Sequence, residues 1–410
     1  MPSPRLSPPA FRCFDSRFLL AVLLTIAPAF PATAGAQTPA GRGDSAASGL
    51  QVRVTLPLDA GSSQPLSGRL LVLMSDSGQP ADVLLPDFMP DGHSWIAAVD
   101  VAAIAPGSSV IVDNTAAADP APLARAPRGR YQLMALLDVD RNANYAPLSP
   151  PDWYSTVVQA GDIDPSAGRT VELRLTRRPP APSLAKLRAE GAYVDVVSDA
   201  LSAFAGRPVH MRAVVVRPPG YRHSSARYPT VYMTHGFGGV LERDAANTVT
   251  RLATQMASGK LPPMIWVLLD QAVPGGTHEF ADSANNGPWG QALTRELIPY
   301  LEKRYRMDAR PSGRLLNGHS SGGWATMWMQ VTYPDVFGGT WSTAPDPLDL
   351  HEFTNVDLYA ATNFYRKAAD EQVRLMRGID GPAATLETFA KREAVIGEIG
   401  GQMASFEWVF

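Results

Sequence analysis

Two kinds of hydrophobic pattern divide the chain. Between residues 49 and 176, short segments such as Gln51–Leu56 and Thr170–Leu175 alternate polar and apolar residues, as half-buried strands do. Turn-forming clusters such as Ala105-Pro106-Gly107 separate these segments. Several short strands at this spacing predict a small all-β sandwich domain over residues 49–176.

The pattern changes after a proline-rich stretch at residues 177–190, which predicts a stiff linker because prolines fix φ and remove backbone donors. Over residues 191–410, continuous apolar segments alternate with longer segments of helical periodicity. Strands are predicted at 209–216, 228–234, 264–270 and 314–317, and helices at 289–304 and 323–332. This alternation predicts an α/β fold with a mainly parallel sheet covered by helices on both faces.

The N-terminus has the pattern of a secretory signal peptide. Three arginines precede an apolar run at residues 18–30, and small residues at 34–36 offer a cleavage site before Gln37. We therefore expect residues 1–36 to be removed, a flexible tether at 37–48, and a secreted or periplasmic protein. The apolar run is shorter than the roughly 20 residues of a membrane span, so no span is expected after cleavage.

Composition excludes several classes of protein. Hydrophobic residues make up 45% and charged residues 18%, which is typical of a globular chain. The only cysteine, Cys13, lies in the predicted leader, so neither disulfides nor a thiol nucleophile are expected. Removing the leader takes away three arginines and one aspartate, a net +2, and moves the formal charge from −3 to −5. This charge argues against nucleic acid as a partner.

A serine motif, Gly318-His319-Ser320-Ser321-Gly322, stands between the predicted strand at 314–317 and the helix at 323–332. A sharp strand-to-helix turn in this context pushes the serine side chain outward at the carboxyl edge of the sheet. The sequence therefore predicts Ser320 as a nucleophile, with a purely structural turn as the alternative.

A glycine-rich stretch, His235 to Gly239, directly follows the predicted strand at 228–234. Acyl transfer builds negative charge on a carbonyl oxygen, which backbone amides on such a loop can stabilise. We expect the amides of Phe237 and Ser321 to be these donors and His235 to orient the loop. A simple glycine-rich turn is the alternative.

The two motifs, with their order and separation, resemble the putative esterase (esterase D-like) family of the α/β-hydrolase superfamily. Similar stretches lie at residues 228–236, 296–302, 318–322 and 333–339, and the resemblance covers about residues 192–350. It implies a secreted serine esterase that hydrolyses carboxylic esters through an acyl-enzyme on Ser320. Its partner would be a small-molecule or carbohydrate-linked ester, and the reaction needs no cofactor.

The chain departs from the family at the histidine. In α/β-hydrolases the acid and then the histidine follow the serine, and His351 is the only histidine after Ser320, 31 residues later. That distance leaves no room for two further strand–helix units, since one such unit needs about 30 residues or more. We expect the chain to be C-terminally incomplete, ending on the apolar segment 406–410, with the triad acid and histidine in the absent part. Asp346 and Asp349 are expected to be turn or cap carboxylates.

Two other functions stay open. The missing histidine is compatible with a non-catalytic binding protein on a hydrolase scaffold, and the serine turn also occurs in serine peptidases of the prolyl-oligopeptidase type.

Two further groups of residues have weaker patterns. The segment 138–144 begins like a calcium loop, but Ala143 and Ser149 occupy its glycine and glutamate positions, so a solvated turn is predicted and no metal site. Trp153, Tyr154 and Trp289 are expected to pack in the interior or at its rim rather than to form a carbohydrate platform.

Overall fold

The computed structural model describes residues 49–86, 92–143, 148–189, 192–273, 276–353, 355–367, 371–374 and 385–397. The predicted signal peptide, the tether and the apolar segment 406–410 lie outside these residues, so export stays a prediction. No helix of the described ranges combines the length and the apolar character that crossing a membrane requires.

Residues 51–174 form two sheets. Their strands are β1 (Gln51–Thr55), β2 (Leu66–Ser75), β3 (Ser94–Ile104), β4 (Ser109–Val112), β5 (Ala117–Asp119), β6 (Gly129–Asp138), β7 (Trp153–Tyr154), β8 (Val158–Ile163) and β9 (Thr170–Arg174). The smaller sheet has the order β4-β1-β9, and the larger has the order β5-β3-β2-β6-β7 with β8 also paired to β6. A single apolar core lies between the two sheets, with Val52 and Leu173 from one and Val72 and Leu133 from the other.

Strand β2 is buried on both of its faces. Leu70 and Val72 point into the core between the sheets, whereas Leu71 and Leu73 pack on the opposite side against the far C-terminal helix α7 (Leu386–Ile396). This explains why β2 reads as a continuous apolar run rather than as an alternating one.

Helix α7 is fixed to this sheet by two buried arginines. Arg392, which is 1% exposed, donates from Nη1 to Asp119 Oδ2 at 3.0 Å and from Nη2 to Ser94 Oγ at 2.6 Å. Arg69 of β2 donates from Nε to the Val395 carbonyl at 2.9 Å, at the carboxyl end of the helix. The sequence interpretation assigned residues 191–410 to one hydrolase domain and did not anticipate that this helix packs on the N-terminal sheet.

The next part of the chain forms a six-stranded sheet. Its strands are β10 (Tyr193–Val197), β11 (His210–Val216), β12 (Thr230–Met233), β13 (Ile265–Leu269), β18 (Arg314–His319) and β19 (Gly339–Thr343), and their order is β10-β11-β13-β12-β18-β19. Between β13 and β18 lie the short strands β14 (Ala272–Val273), β15 (Gly276–Thr277), β16 (Asp282–Ser283) and β17 (Gly287–Pro288).

The sheet is mixed, whereas the sequence predicted a mainly parallel one. β10 pairs antiparallel with β11, and β11 with β13, while the pairs β13–β12, β12–β18 and β18–β19 are parallel. The connection between β10 and β11 contains only the short helix α2 (Asp199–Ala205), which ends at Gly206 with φ +66°. This short, sharply turned connection returns the chain antiparallel instead of crossing the sheet.

Helices cover both faces of the mixed sheet, as predicted. They are α1 (Ala185–Ala189), α2, α3 (Leu241–Ala257), α4 (Trp289–Ala292), α5 (Ile298–Arg304) and α6 (Ser321–Thr332). Alternate residues of β13 belong to two different cores, Ile265 and Val267 on one face and Trp266 and Leu268 on the other. The helix predicted at 289–304 is interrupted, because a π-helical turn at Leu293–Leu297 separates α4 from α5.

Replacing Arg392 tests how α7 is held. We expect Arg392→Ala to lower the free energy of unfolding by about 3–5 kcal/mol, because it leaves the Asp119 carboxylate buried without its partner. Urea unfolding followed by circular dichroism measures the change. Lys391→Ala is the control, since the Lys391 side chain is 66% exposed and pairs with Glu387, and it should stay within about 0.5 kcal/mol of the wild type. Equal losses in the two variants would contradict the anchoring role of Arg392.

Candidate active site

Four strand ends meet at one edge of the mixed sheet. Strands β12, β13, β18 and β19 are mutually parallel in that sheet, so their carboxyl ends lie together, where ligands bind in open α/β sheets. The segments that follow these ends begin at Thr234, Asp270, Ser320 and Ala344. The predicted nucleophile and the glycine-rich loop therefore lie at the same edge.

Ser320 occupies a strained turn between β18 and α6. Its φ of 58° and ψ of −126° lie in a region that side chains rarely adopt. Its amide donates to the Thr343 carbonyl at 3.1 Å, and its carbonyl accepts from the Trp324 amide at 3.0 Å. The turn is thus fixed by β19 on one side and by the first turn of α6 on the other, while the serine itself stays half-buried.

The flanking glycines are required by close backbone contacts. A Cβ on Gly318 would overlap the Gly322 carbonyl, and a Cβ on Gly322 would lie 2.5 Å from the His235 carbonyl oxygen. Thr234 Oγ1 also donates to the Gly322 carbonyl at 2.8 Å. The serine turn and the start of the glycine-rich loop therefore pack backbone against backbone.

The glycine-rich loop, defined as His235 to Gly239, lies directly beside Ser320. A Cβ on Gly236 would be 3.2 Å from the His319 carbonyl oxygen and 3.5 Å from Ser320 Cβ. Within the loop, the Gly239 amide donates to the Gly236 carbonyl at 3.1 Å. At its far end, Arg243 donates from Nη2 to the Gly238 carbonyl at 2.7 Å.

His235 fixes the loop through both of its ring nitrogens. Its Nε2 accepts the Gln271 amide at 3.1 Å, so the proton lies on Nδ1, which is 3.0 Å from the Gly236 carbonyl. This agrees with the expected orienting role. The Gln271 side chain adds a bond from Nε2 to the His235 carbonyl at 2.6 Å.

The structure brings the three predicted site residues together. Ser321 is the first residue of α6 and is fully buried, and a first-turn amide has no partner within its helix. Phe237 lies in the loop beside Ser320, with 36% of its side chain exposed. The roles of Ser320, Phe237 and Ser321 in a reaction remain predictions.

His351 lies on the surface as half of an ion pair. Its Nδ1 is 3.1 Å from Asp357 Oδ2, and its side chain is 65% exposed. The hydrogen bond that His351 donates to Asp357 raises the pKa of His351, which favours the charged form that cannot accept a proton. Among the described residues, no histidine forms a hydrogen bond with Ser320 Oγ.

The two acids considered after Ser320 differ in their surroundings. Asp349 caps the turn at Leu350–Glu352 by accepting the His351 amide at 2.9 Å, as expected. Asp346 lies at the serine turn, where its amide is 3.4 Å from the Ser320 carbonyl. Burial raises the pKa of Asp346 to about 6, and the charge of His319 only partly opposes this.

Comparison with known proteins finds a family model that matches this part of the chain. Residues 207–363 match the family model described as "Putative esterase", and this range contains the glycine-rich loop and the serine turn. Over these residues the chain is similar to the putative esterase family. The match confirms the resemblance seen in the sequence and supports the α/β-hydrolase type of fold.

Individual relatives of the esterase region are distant. The uncharacterized protein YbbA of Bacillus subtilis (strain 168) is 25% identical over 138 residues, which are 31% of this chain and 53% of YbbA. The ferulic acid esterase AmCE1/Fae1A from Anaeromyces mucronatus is 22% identical, covers 38% of this chain and 58% of its own, and has a TM-score of 0.30. An S-formylglutathione hydrolase from Agrobacterium tumefaciens is 18% identical over 40% of this chain and 64% of its own, with a TM-score of 0.31. The chain thus spans about half the length of the curated relative it matches.

Two buried residues beside the esterase motifs were missed in the sequence. Gln271, which follows β13, and Glu279, on the segment leading to α4, are both 0% exposed. Gln271 could have been found by its place after a predicted strand, at the edge that also carries the serine. No local pattern marks Glu279, because its burial depends on α6 packing over it.

The calcium-like segment 138–144 and the three aromatic residues singled out in the sequence lie outside the serine turn. Carboxylate oxygens of Asp138, Asp140 and Asp152 lie within 4.8 Å of one another. Both oxygens of Asp138 and both of Asp152 accept backbone amides, as in a hydrogen-bonded turn. The prediction of a solvated turn was wrong in this respect, because Asp138 and Asp152 are fully buried. Trp153 and Trp289 are buried, which confirms their packing role, and Tyr154 is half-buried.

Substitutions at two glycines test the packing of the serine turn. We expect Gly322→Ala to lower the free energy of unfolding by about 1–3 kcal/mol, since the added methyl group meets the His235 backbone in a fully packed region. Gly339→Ala on β19 is the control, because its methyl group would lie 3.8 Å from its nearest neighbour, Leu315 Cδ2, and it should change stability by less than about 0.5 kcal/mol. Chemical unfolding measures both, and a Gly322→Ala variant as stable as the control would show that the contact is not tight.

Proposed function

We propose that this protein is a serine hydrolase that cleaves carboxylic esters through an acyl-enzyme on Ser320. The observation that carries the proposal is the backbone of Ser320, at φ 58° between β18 and α6, directly beside the glycine-rich loop. A strained turn of this kind presents a nucleophile at the sheet edge. The similarity of residues 207–363 to the putative esterase family supports the same reaction.

The proposed reaction has two steps. Ser320 Oγ attacks the ester carbonyl carbon, its proton passes to a general base, and the carbonyl oxygen becomes an oxyanion held by the amides of Phe237 and Ser321. Collapse of this intermediate breaks the bond to the alcohol, which leaves with the proton and yields the acyl-enzyme. Water then attacks the acyl group in the same way and releases the acid and free Ser320. We propose a small-molecule or carbohydrate-linked ester as substrate.

A non-catalytic binding protein is the second candidate. One observation favours it: among the residues that the structure describes, no histidine forms a hydrogen bond with Ser320 Oγ. Loss of the triad histidine costs about a million-fold in a well-studied protease, so a chain that lacks this base would bind its ligand without turning it over.

Labelling of Ser320 separates these candidates. We expect a fluorophosphonate probe to label the wild type and p-nitrophenyl acetate to be hydrolysed, with both lost in Ser320→Ala, since an activated serine is needed for each. Ser312→Ala, on the exposed turn before β18, is the matched control and should behave as wild type. Mass spectrometry of the labelled protein identifies the modified residue. Absence of labelling and of hydrolysis in the wild type would favour the binding protein.

Replacing His351 tests whether it is the base. We expect His351→Ala to change the labelling rate by less than about twofold, because the imidazole is exposed, favours its charged form and makes no bond to Ser320. Asp357→Asn is measured alongside and should also leave the rate unchanged. A loss of labelling in both variants would instead assign the His351–Asp357 pair to the reaction.

A further inference from the structure

Glu279 is a fully buried acid. Its side chain is 0% exposed, and among the described residues neither of its carboxyl oxygens has a partner of acceptable hydrogen-bond geometry. The segment that carries it, 276–281, is entirely buried between β14 and β16. Glu279 and Phe280 adopt φ of 47° and 53°, a strained backbone that turns the glutamate into the interior.

No positive charge of the described residues compensates this carboxyl group. Within the same residues, Asp346 is the charged side chain that acts on Glu279, and its sign is the same. The neighbouring His278 is uncharged at neutral pH, since burial lowers its pKa to about 3. Burial raises the pKa of Glu279 well above its usual range, Asp346 raises it further, and the hydrogen bond from Ser321 opposes only part of this shift. An ionised carboxylate here would be a buried, unpaired charge, which proteins avoid by keeping the group protonated.

The polar groups around Glu279 form a path to the glycine-rich loop. The Ser321 hydroxyl interacts with the Glu279 carboxyl group, and Gln271 Nε2 lies 3.5 Å from Ser321 Oγ. The same Gln271 nitrogen donates to the His235 carbonyl. A protonated carboxyl group offers both a donor and an acceptor to a hydroxyl, so it can complete this network where a carboxylate could only accept.

We propose that Glu279 acts as an uncharged carboxylic acid that positions Ser321, and with it one amide of the oxyanion hole. The inference rests on the proposed function. Glu279 would act through Ser321, so it is a positioning residue. If it became ionised, its charge would repel the oxyanion that forms beside Ser321, and hydrolysis would slow.

The charge state of Glu279 is tested by the pH dependence of folding stability, which needs no enzymatic activity. A carboxyl group whose pKa is higher in the folded state stabilises the fold below its unfolded pKa and loses this contribution as pH rises through the folded pKa. We expect the folding equilibrium constant of the wild type, divided by that of Glu279→Gln, to fall by up to about tenfold per pH unit above about pH 5. Urea unfolding at a series of pH values measures the ratio. A ratio that stays constant up to about pH 9 would overturn the uncharged state.

The positioning role is tested by comparing two replacements. Glutamine keeps a donor and an acceptor, whereas leucine removes both. We expect Glu279→Leu to lower kcat for p-nitrophenyl acetate by about tenfold or more and to leave KM unchanged. This loss is smaller than the loss caused by removing a whole oxyanion donor. Glu279→Gln should retain most of kcat. The Gln variant should also lose any fall in kcat that the wild type shows at alkaline pH. Equal losses in the two variants would overturn the proposal.

A readout on Ser321 separates this inference from the esterase reaction. We expect hydrogen exchange in a peptide covering residues 316–325 to be faster in Glu279→Leu and unchanged in Glu279→Gln, whether or not the protein hydrolyses esters. Glu393→Gln, at a buried glutamate on α7, controls for the replacement of any buried carboxyl group and should leave this exchange unchanged. Unaltered exchange in Glu279→Leu would overturn the proposal that Glu279 positions Ser321. Failure of the proposed function would appear separately, as ester hydrolysis that survives Ser320→Ala.

Discussion

Close backbone packing at the carboxyl edge of the mixed sheet is the constraint on which the candidate site depends. The Gly322 position admits no Cβ because the His235 carbonyl lies against it. The Gly318 position admits no Cβ because the Gly322 carbonyl lies against it. Since β12 and β18 are adjacent and parallel in register, the segments that leave them start side by side. The serine turn and the glycine-rich loop are thus placed by the same pair of strands, and neither can move without the other.

Much of this region follows from local sequence patterns. An apolar segment, two glycines and a helical periodicity predicted a strand, a serine turn and a helix in this region. The structure has strand β18, Ser320 and helix α6 there. The antiparallel half of the sheet was not predicted, because strand direction depends on the length and turn of a connection rather than on the pattern of the strand. The connection through α2 is short and ends at Gly206, and only the structure shows which way it sends the chain.

Other features depend on contacts between residues far apart in sequence. Arg392 of α7 reaches Asp119, 273 positions earlier, and nothing in the helix itself indicates this partner. Gln271 is fixed by His235, 36 positions away. A polar residue in a loop is ordinarily interpreted as exposed, so burial of Gln271 and Glu279 is visible only once the elements that cover them are in place.

The chain holds buried carboxyl groups in two different ways. Asp119 keeps a guanidinium partner at 3.0 Å, which offsets part of the cost of its burial. Glu279 has no cationic partner among the residues that the structure describes. Protonation is therefore the remaining way for Glu279 to avoid a buried, unpaired charge. The compensation that a guanidinium gives to Asp119 is given to Glu279 by a proton.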